Sequence, residues 1–232
     1  MSCNHDCSHD NSCIRLVPIF QGLNSEEEKI LQKETNHRIF RKGDFIFREG
    51  DTSETLYIVN KGLIKINKVA EDGKEQIVRL LFPGDFFGQT ALFQSEIHYA
   101  NAEAIDDTTI CTIHRQDFLK TLERNHDMSL RFMHALNEII HQADEWMTLL
   151  SLMEVEKRLA SVLLLFSDRA NTKDGKFKLP ISKKALASLI GTTPETISRK
   201  LVTFVSDEII SMSGQRDIQI LNLEKIKRIA KP

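Results

Sequence analysis

The chain has 232 residues, of which 41% are hydrophobic and 28% charged. These proportions are ordinary for a folded globular protein and exclude disordered and fibrous classes. No stretch approaches the roughly 18 apolar residues of a membrane span, and the N-terminus lacks the apolar core of a signal peptide. We therefore expect a cytoplasmic protein, in which clustered cysteines indicate metal, catalytic or redox chemistry rather than structural disulfides.

The net charge of -2 conceals an asymmetry between the two parts of the chain. Residues 168–232 contain 13 Lys/Arg against 7 Asp/Glu, a net charge of +6, which leaves 18 against 26, or -8, for residues 1–167. A basic C-terminal part is suited to a polyanionic partner, although a merely solvated basic surface is the alternative.

Three of the four cysteines lie in the first thirteen residues, "MSCNHDCSHDNSC". This arm, residues 1–17, is too polar to fold alone, and His5 and His9 alternate with its cysteines as possible nitrogen ligands. The next segment, "NSEEEKILQK", predicts a short helix capped by Asn24 or Ser25, with acidic residues in its first turn.

Short alternating apolar runs between Arg38 and His114 predict strands, as in "LYIV", "LIKINKV" and "TTICTI". Glycines separate these runs at spacings of 12, 11 and 11 residues, at positions 50, 62, 73 and 84. Regular turns between such strands indicate an antiparallel β-roll or jelly roll, which we assign to residues 18–124.

A long helix, residues 125–152, carries an apolar stripe whose members step by 3, 4, 3, 4 and 3 residues. This spacing is typical of a coiled-coil seam and favours a homodimer, although a helix packed on its own domain could show the same stripe. The predicted dimer interface consists of Met133, Leu136, Ile140, Ala143, Met147 and Leu150.

Residues 153–232 have the organisation of a winged helix-turn-helix, so the expected fold class is α+β: roll, dimerisation helix and DNA-binding domain. A helix from about Glu154 to Ser167 has an apolar face, and a second begins near Lys183 and ends at Gly191. Thr193 and Pro194 then suit the cap and first position of the next helix. Gly214 and Gln215 predict the tip of a wing hairpin.

The start of that last helix is the candidate base-reading surface. Glu195 and Arg199 are four residues apart on one exposed face, with Ser198 beside them. A carboxylate accepts a hydrogen bond from the cytosine amino group, and arginine bonds bidentately to guanine. An intrahelical ion pair between Glu195 and Arg199 is the alternative explanation of their spacing. The remaining predicted DNA contacts, several to phosphates, are Thr193, Thr196, Lys200, Lys183, Lys184 and Arg216.

Over nearly its whole length the chain resembles the CRP/FNR family of transcription regulators, and "TPETISRKL" closely resembles an FNR-type recognition helix. The resemblance implies that Glu195, Ser198 and Arg199 read TTGAT half-sites of a palindromic operator, roughly 34 Å apart, and that RNA polymerase is a partner. It implies a binding-coupled regulator and no enzyme activity.

The cyclic-nucleotide branch of this family holds its ligand with a Gly-Glu pair and an Arg-Ser pair. In this chain Gln89 replaces the glutamate, and Tyr99 and Ala100 stand where arginine and serine would be. Without a cation at that place the phosphate loses its charge partner. We therefore disfavour a nucleotide-binding module and expect a structural interior.

FNR-type oxygen sensors are the closer resemblance, because they ligate a [4Fe-4S] cluster with an N-terminal C-x2-C-x5-C run and one distant cysteine. Cys7 and Cys13 keep the five-residue gap, and Cys111 stands where the family has its distant ligand. Cys3 precedes Cys7 by three intervening residues instead of two. The resemblance implies four thiolate ligands, Cys3, Cys7, Cys13 and Cys111. A zinc or copper Cys/His site and a thiol-disulfide switch stay open.

The family places an aspartate on the dimer seam, whereas this chain has Ala143 there and Asp144 next to it. A wholly apolar seam holds a dimer more firmly. We therefore expect sensing to reorient the DNA-binding domains rather than to dissociate the subunits.

Overall fold

A computed structural model of the chain describes residues 14, 16–93, 97–172 and 174–231. The chain divides into two compact units. The first contains the described residues up to Lys68 together with Val78–Ile139, and the second contains Val69–Ile77 with the described residues from Ile140 onward. No helix within the described residues is long and apolar enough to cross a bilayer.

The first unit is a roll of two four-stranded antiparallel sheets, with strand orders β1-β8-β3-β6 and β2-β7-β4-β5. Its strands are β1 Thr35–Phe40, β2 Phe45–Phe47, β3 Thr55–Lys61, β4 Ile64–Val69, β5 Glu75–Leu81, β6 Phe86–Phe87, β7 Asn101–Ala104 and β8 Thr108–His114. Its helices are a short 3-10 turn Pro18–Phe20, α1 Ser25–Lys33, α2 Gln89–Phe93 and α3 Arg115–Arg124, followed by the long helix α4 His126–Leu152.

Strands β3 and β8 are covered on both faces, because alternate residues of a strand point to opposite sides of a sheet. One face, with Tyr57, Val59 and Ile110, joins a cluster shared with the second sheet. The other face, with Leu56, Ile58, Cys111 and Ile113, joins a second cluster that contains helix residues. The roll therefore has an inter-sheet core and a separate sheet-to-helix core.

Local sequence signals form the predicted caps and turns. Asn24 accepts from the backbone N–H groups of Glu26 and Glu27, and Glu27 returns a bond to Asn24 N, which completes a capping box. Gly62 has a φ of 94°, and an added Cβ would lie 2.4 Å from Thr108 Oγ1. The turn between β3 and β4 thus requires glycine for both its backbone angle and its space.

The winged helix-turn-helix lies in the second unit. It contains α5 Val155–Ala170, β9 Lys176–Lys178, α6 Lys183–Ile190, α7 Pro194–Ser206, β10 Ile210–Ser213, β11 Asp217–Ile220 and α8 Leu223–Ala230. The sheet order is β10-β11-β9. Of the residues predicted to face the core from α5, Leu159, Val162, Leu163 and Phe166 are buried, whereas Val155 is half-buried. The predicted α+β architecture is confirmed.

Candidate functional site

The turn between α6 and α7 forms as the sequence predicts. Gly191 adopts the left-handed conformation at φ 67° and ends α6, where its N–H bonds to Ala187 O. Thr193 Oγ1 then accepts from Thr196 N at 3.3 Å, and Pro194 occupies the first position of α7. These three residues set the geometry of the turn between α6 and the recognition helix α7.

The base-reading candidates lie together on the exposed start of α7. Glu195 and Arg199 are exposed and Ser198 is half-buried. Arg199 Nη2 donates to Thr196 Oγ1 at 3.2 Å rather than to the Glu195 carboxylate. Both charged groups are therefore presented to solvent, with Thr196 holding the guanidinium along the helix.

The protonation state of Glu195 suits a hydrogen-bond acceptor. Its own backbone N–H, the Thr193 hydroxyl and the charge of Arg199, in that order of importance, lower the pKa of the Glu195 carboxyl. An ionised carboxylate can accept from a cytosine amino group but cannot donate. The start of α7 can thus offer an acceptor and a guanidinium fork side by side.

Lys200 is placed differently from what the sequence suggested. Its ammonium forms an ion pair with Glu156 of α5, and both side chains are about one-third exposed, at 34% and 32%. Lys200 is therefore already engaged within the chain, although it stays a predicted phosphate contact. No local sequence pattern predicts this pairing, because 44 residues separate the two partners.

The other predicted phosphate contacts lie on α6 and on the wing hairpin. Lys183 lies in the first turn of α6 and is half-buried, whereas Lys184 is exposed. Arg216 follows the Gly214 turn of the β10–β11 hairpin, where its carbonyl accepts from Leu179 N at 2.8 Å. The predicted wing is confirmed as a hairpin.

Arg158, which sequence reasoning missed, connects two helix C-termini of the second unit. Its Nε donates to Met153 O at 2.8 Å, just after α4, and its Nη1 donates to Ile190 O at 2.9 Å, at the end of α6. Carbonyls at helix C-termini have no intrahelical partner. Arg158 therefore ties the end of the long helix to the helix-turn-helix.

The predicted dimer stripe is largely open to solvent in the single chain. Met133, Ile140 and Met147 are 55%, 61% and 62% exposed. Leu136 packs against the sheet-to-helix core, and Leu150 lies beside Gly191. Leu136 and Leu150 therefore pack within the chain. Met133, Ile140 and Met147 remain exposed and are available for contact with a second surface.

Cys111, the predicted distant sulfur ligand, is fully buried on the helix-covered face of β8 and is disulfide-bonded. The same cluster contains Ile14 at 2% exposure, the residue directly after Cys13, and Met128 and Phe132 of α4. Cys3, Cys7, Cys13, His5 and His9 lie outside the described residues. Across the described residues there is no group of three potential metal ligands.

The roll also contains a pocket at its inter-sheet core, with a volume of about 340 Å³ that includes open solvent. Gln89, Tyr99 and Ala100 line it, as the comparison of motifs predicts, and so does Arg79 of β5. The expectation that no cation stands at this site was therefore wrong. The guanidinium of Arg79 comes from strand β5, so the residues at positions 99 and 100 do not indicate it.

Comparison with known proteins agrees with this architecture. A cyclic nucleotide-binding domain model matches residues 37–125, and a Crp-like helix-turn-helix domain model matches residues 157–229. The chain is 29% identical to the probable transcriptional regulator flp of Lacticaseibacillus casei over 95% of this chain and 99% of that protein. It is 28% identical to a cyclic AMP receptor protein of Thermus thermophilus, covering 92% and 96% of the two chains.

Among solved structures, FixK2 from Bradyrhizobium japonicum is similar with a TM-score of 0.78 and 28% identity, covering 85% of this chain and 98% of that one. The roll, the long helix and the winged helix-turn-helix define a DNA-binding transcription regulator. The two domain models and these relatives together support a transcription regulator of the CRP/FNR family.

Proposed function

We propose that this regulator senses oxygen or redox state through a [4Fe-4S] cluster held by Cys3, Cys7, Cys13 and Cys111. One observation carries the proposal: Ile14, covalently next to Cys13, is buried in the same cluster as Cys111. Ile14, near the C-terminal end of the arm, thus lies on the face of β8 that carries the distant cysteine. Four thiolates fit such a cluster, which would supply an oxygen-labile inorganic centre.

The same cluster offers a route from the sulfur site to the dimer helix. Met128 and Phe132, in the first two turns of α4, pack with Ile14 and Cys111. Close-packed interiors transmit small displacements, so a movement of the arm would displace residues at the start of α4. In the proposed function that helix sets the spacing of the two recognition helices.

We further propose that the active form is a homodimer, joined along the exposed part of the α4 stripe. Two recognition helices related by a two-fold axis would read TTGAT-like half-sites about one helical turn apart, roughly 34 Å. Glu195, Ser198 and Arg199 would contact base edges, and RNA polymerase would be the partner at promoters. The mechanism needs no enzyme activity.

A thiol-disulfide switch is the second candidate, and the disulfide at Cys111 favours it. Both candidates require the sulfur of Cys111 to meet another cysteine, and they differ in whether a metal stands between the sulfurs. A zinc or copper Cys/His site is a further variant, supported by the contact of Cys111 with His37.

Anaerobic purification separates these candidates. Iron, acid-labile sulfide and zinc are quantified, and the absorption spectrum is recorded before and after exposure to air. About four iron and four sulfide per subunit, bleaching in air, are expected from a cubane cluster. Zinc alone, or reversible disulfides in metal-free protein, would contradict the cluster in favour of a variant.

Two variants test whether the sulfur centre controls operator binding. Cys111→Ala removes the sulfur without burying a new polar group, and Ile113→Val is the matched control because Ile113 is also fully buried in the cluster. We expect Cys111→Ala to abolish iron loading and oxygen-dependent binding to a TTGAT palindrome, and Ile113→Val to retain both. Equal iron loading in the two variants would refute the role of Cys111.

A further inference from the structure

The base-reading face of the recognition helix α7 continues beyond Arg199 with an apolar side chain. Residues three, four and seven positions apart lie on one face of a helix. Val202 follows Glu195 by seven positions and Arg199 by three, so it shares their face. Its side chain is 69% exposed. An exposed valine therefore extends the surface that Glu195 and Arg199 begin.

Neither core packing nor helix formation accounts for a valine at this position. The core face of α7 consists of Ile197, Leu201 and Phe204, none of which is more than 1% exposed. Val202 lies outside that face, so folding buries little of it. Valine is also a poorer helix former than alanine, because its β-branched side chain loses rotamer freedom in a helix. Single exposed apolar residues are common on protein surfaces, so the informative feature is the place of Val202 on the base-reading face.

The hydroxyl donors near Val202 are already engaged within the helix. Thr203 Oγ1 donates to Arg199 O at 3.2 Å, and Ser206 Oγ donates to Thr203 O at 2.9 Å. The third turn of α7 thus offers a DNA groove the methyl groups of Val202 rather than a free hydroxyl donor.

Apolar contact in the major groove recognises one base in particular. Thymine presents its 5-methyl group there, and proteins distinguish it by apolar contact. Val202 lies about 4.5 Å beyond Arg199 along the helix axis, at about 1.5 Å per residue. Successive base pairs are about 3.4 Å apart. Val202 can therefore reach a base pair one or two steps from the guanine that Arg199 is predicted to read.

We propose that Val202 is a further specificity-determining residue, which contacts the 5-methyl group of a thymine one or two base pairs from that guanine. The proposal rests on the proposed function in one respect, the entry of α7 into the major groove with Arg199 at a guanine. It does not depend on the chemistry of the sulfur centre.

Replacement of thymine by deoxyuridine tests the contact, because deoxyuridine pairs in the same way and lacks only the methyl group. The operator is selected from random DNA with the full-length, anaerobically purified wild-type protein. Each thymine of one half-site, on either strand, is then replaced in turn, and fluorescence anisotropy measures the affinity. We expect one replacement, within two base pairs of the guanine, to weaken binding roughly two- to fivefold, as for the loss of one buried methyl group.

Val202→Ala shows whether this loss belongs to the valine. The variant should bind the unmodified operator roughly two- to fivefold more weakly than the wild type, and replacement of the sensitive thymine should then cost it nothing more. Val69→Ala, at an exposed valine of β4, is the control and should retain the sensitivity of the wild type. Thermal unfolding should find Val202→Ala no less stable than the wild type, since alanine is the better helix former.

Three outcomes would overturn the proposal. They are a wild-type protein insensitive to deoxyuridine throughout the half-site, an equal loss in wild type and Val202→Ala at the sensitive position, and a selected half-site without a thymine at this distance from the guanine. A selected operator that lacks TTGAT would instead refute the operator sequence of the proposed function. The thymine scan of that operator would still decide the role of Val202.

Discussion

Cys111 and His37 lie directly opposite each other on strands β8 and β1, with Cys111 Sγ 3.6 Å from His37 Nδ1. Paired residues on neighbouring strands share a face of the sheet. The His37 imidazole therefore lies next to the Cys111 sulfur, on the face of the sheet that the helices cover. An exposed histidine thus adjoins a fully buried cysteine. Such a ring nitrogen can donate a hydrogen bond to the sulfur atom.

Replacing His37 with leucine should make the sulfur centre more sensitive to air. A hydrogen bond to sulfur stabilises the reduced, more negatively charged state, so its loss favours oxidation. The rate of bleaching, or of thiol loss in metal-free protein, measures the effect after anaerobic purification. Asn36→Leu changes the adjacent exposed position of β1 and is the control. Identical rates in both variants would show that the contact has no influence on the sulfur.

The Glu156–Lys200 ion pair predicts an unusual DNA-binding variant. Glu156→Gln removes a negative charge and releases Lys200, so affinity should rise a few-fold and equally for cognate and scrambled operators. Lys200→Gln should weaken both operators and reduce the salt slope by about 1. Fluorescence anisotropy at several salt concentrations measures both quantities. A gain confined to the cognate operator would be inconsistent with this interpretation.

Arg199 should behave differently from Lys200, because Arg199 is predicted to contact a base rather than a phosphate. Arg199→Gln is expected to lose about 1–3 kcal/mol at the cognate guanine and to relax specificity at that position alone. Lys184→Gln, at an exposed lysine of α6, is the comparison for a purely electrostatic loss. Uniform weakening by Arg199→Gln across all sequences would place Arg199 among the phosphate contacts instead.

Local signals were sufficient for much of the fold. The Asn24 capping box, the Gly191–Thr193–Pro194 turn and the wing at Gly214 follow from residues within a few positions of each other. Alternation and glycine spacing were likewise sufficient for the roll. Helices α3 and α8 were missed, because each is short and follows directly on a strand or a turn.

Partners that are distant in sequence could not be predicted. Arg79 reaches the pocket from β5, Glu156 pairs with Lys200 across 44 residues, and His37 meets Cys111 across 74. Each depends on sheet register or helix packing, which leaves no short-range pattern in the sequence. The residues at positions 89 and 99–100 led us to expect a structural interior, and they gave no indication of the pocket's cation, Arg79.

The exposed α4 stripe predicts a site-specific effect on assembly. Ile140→Asp places a charge at an apolar position that is 61% exposed in the single chain, so it should leave the folded chain intact and oppose dimer formation. Asn137→Asp adds the same charge at another exposed position of α4 and is the control. Sedimentation velocity should detect monomers only for Ile140→Asp. Dimers of unchanged stability would exclude this stripe as the interface.

Burial lowers the pKa of His98, with the charge of Asp51 opposing the effect. The unfolded chain therefore takes up this proton at a higher pH than the folded chain, near 6.5, and stability falls as the pH drops below that value. His98→Phe keeps an aromatic ring against Phe47 and should lose this part of the acid sensitivity. Urea unfolding at pH 7 and pH 5 measures it, with His134→Gln as the exposed control. An unchanged pH dependence would contradict the assignment.

Arg158→Met should destabilise the second unit more than its position on a helix surface suggests. The substitution retains much of the apolar stem but leaves Met153 O and Ile190 O without their charged donor. Hydrogen bonds to charged groups contribute about 1.5–3 kcal/mol each, so a loss of at least about 2 kcal/mol in the free energy of unfolding is expected. Lys157→Met, at the neighbouring half-buried position, controls for the loss of a basic side chain. Because the same guanidinium joins the end of α4 to α6, operator binding should weaken in Arg158→Met even where the protein stays folded. Operator affinity equal to that of Lys157→Met would limit Arg158 to a role in stability.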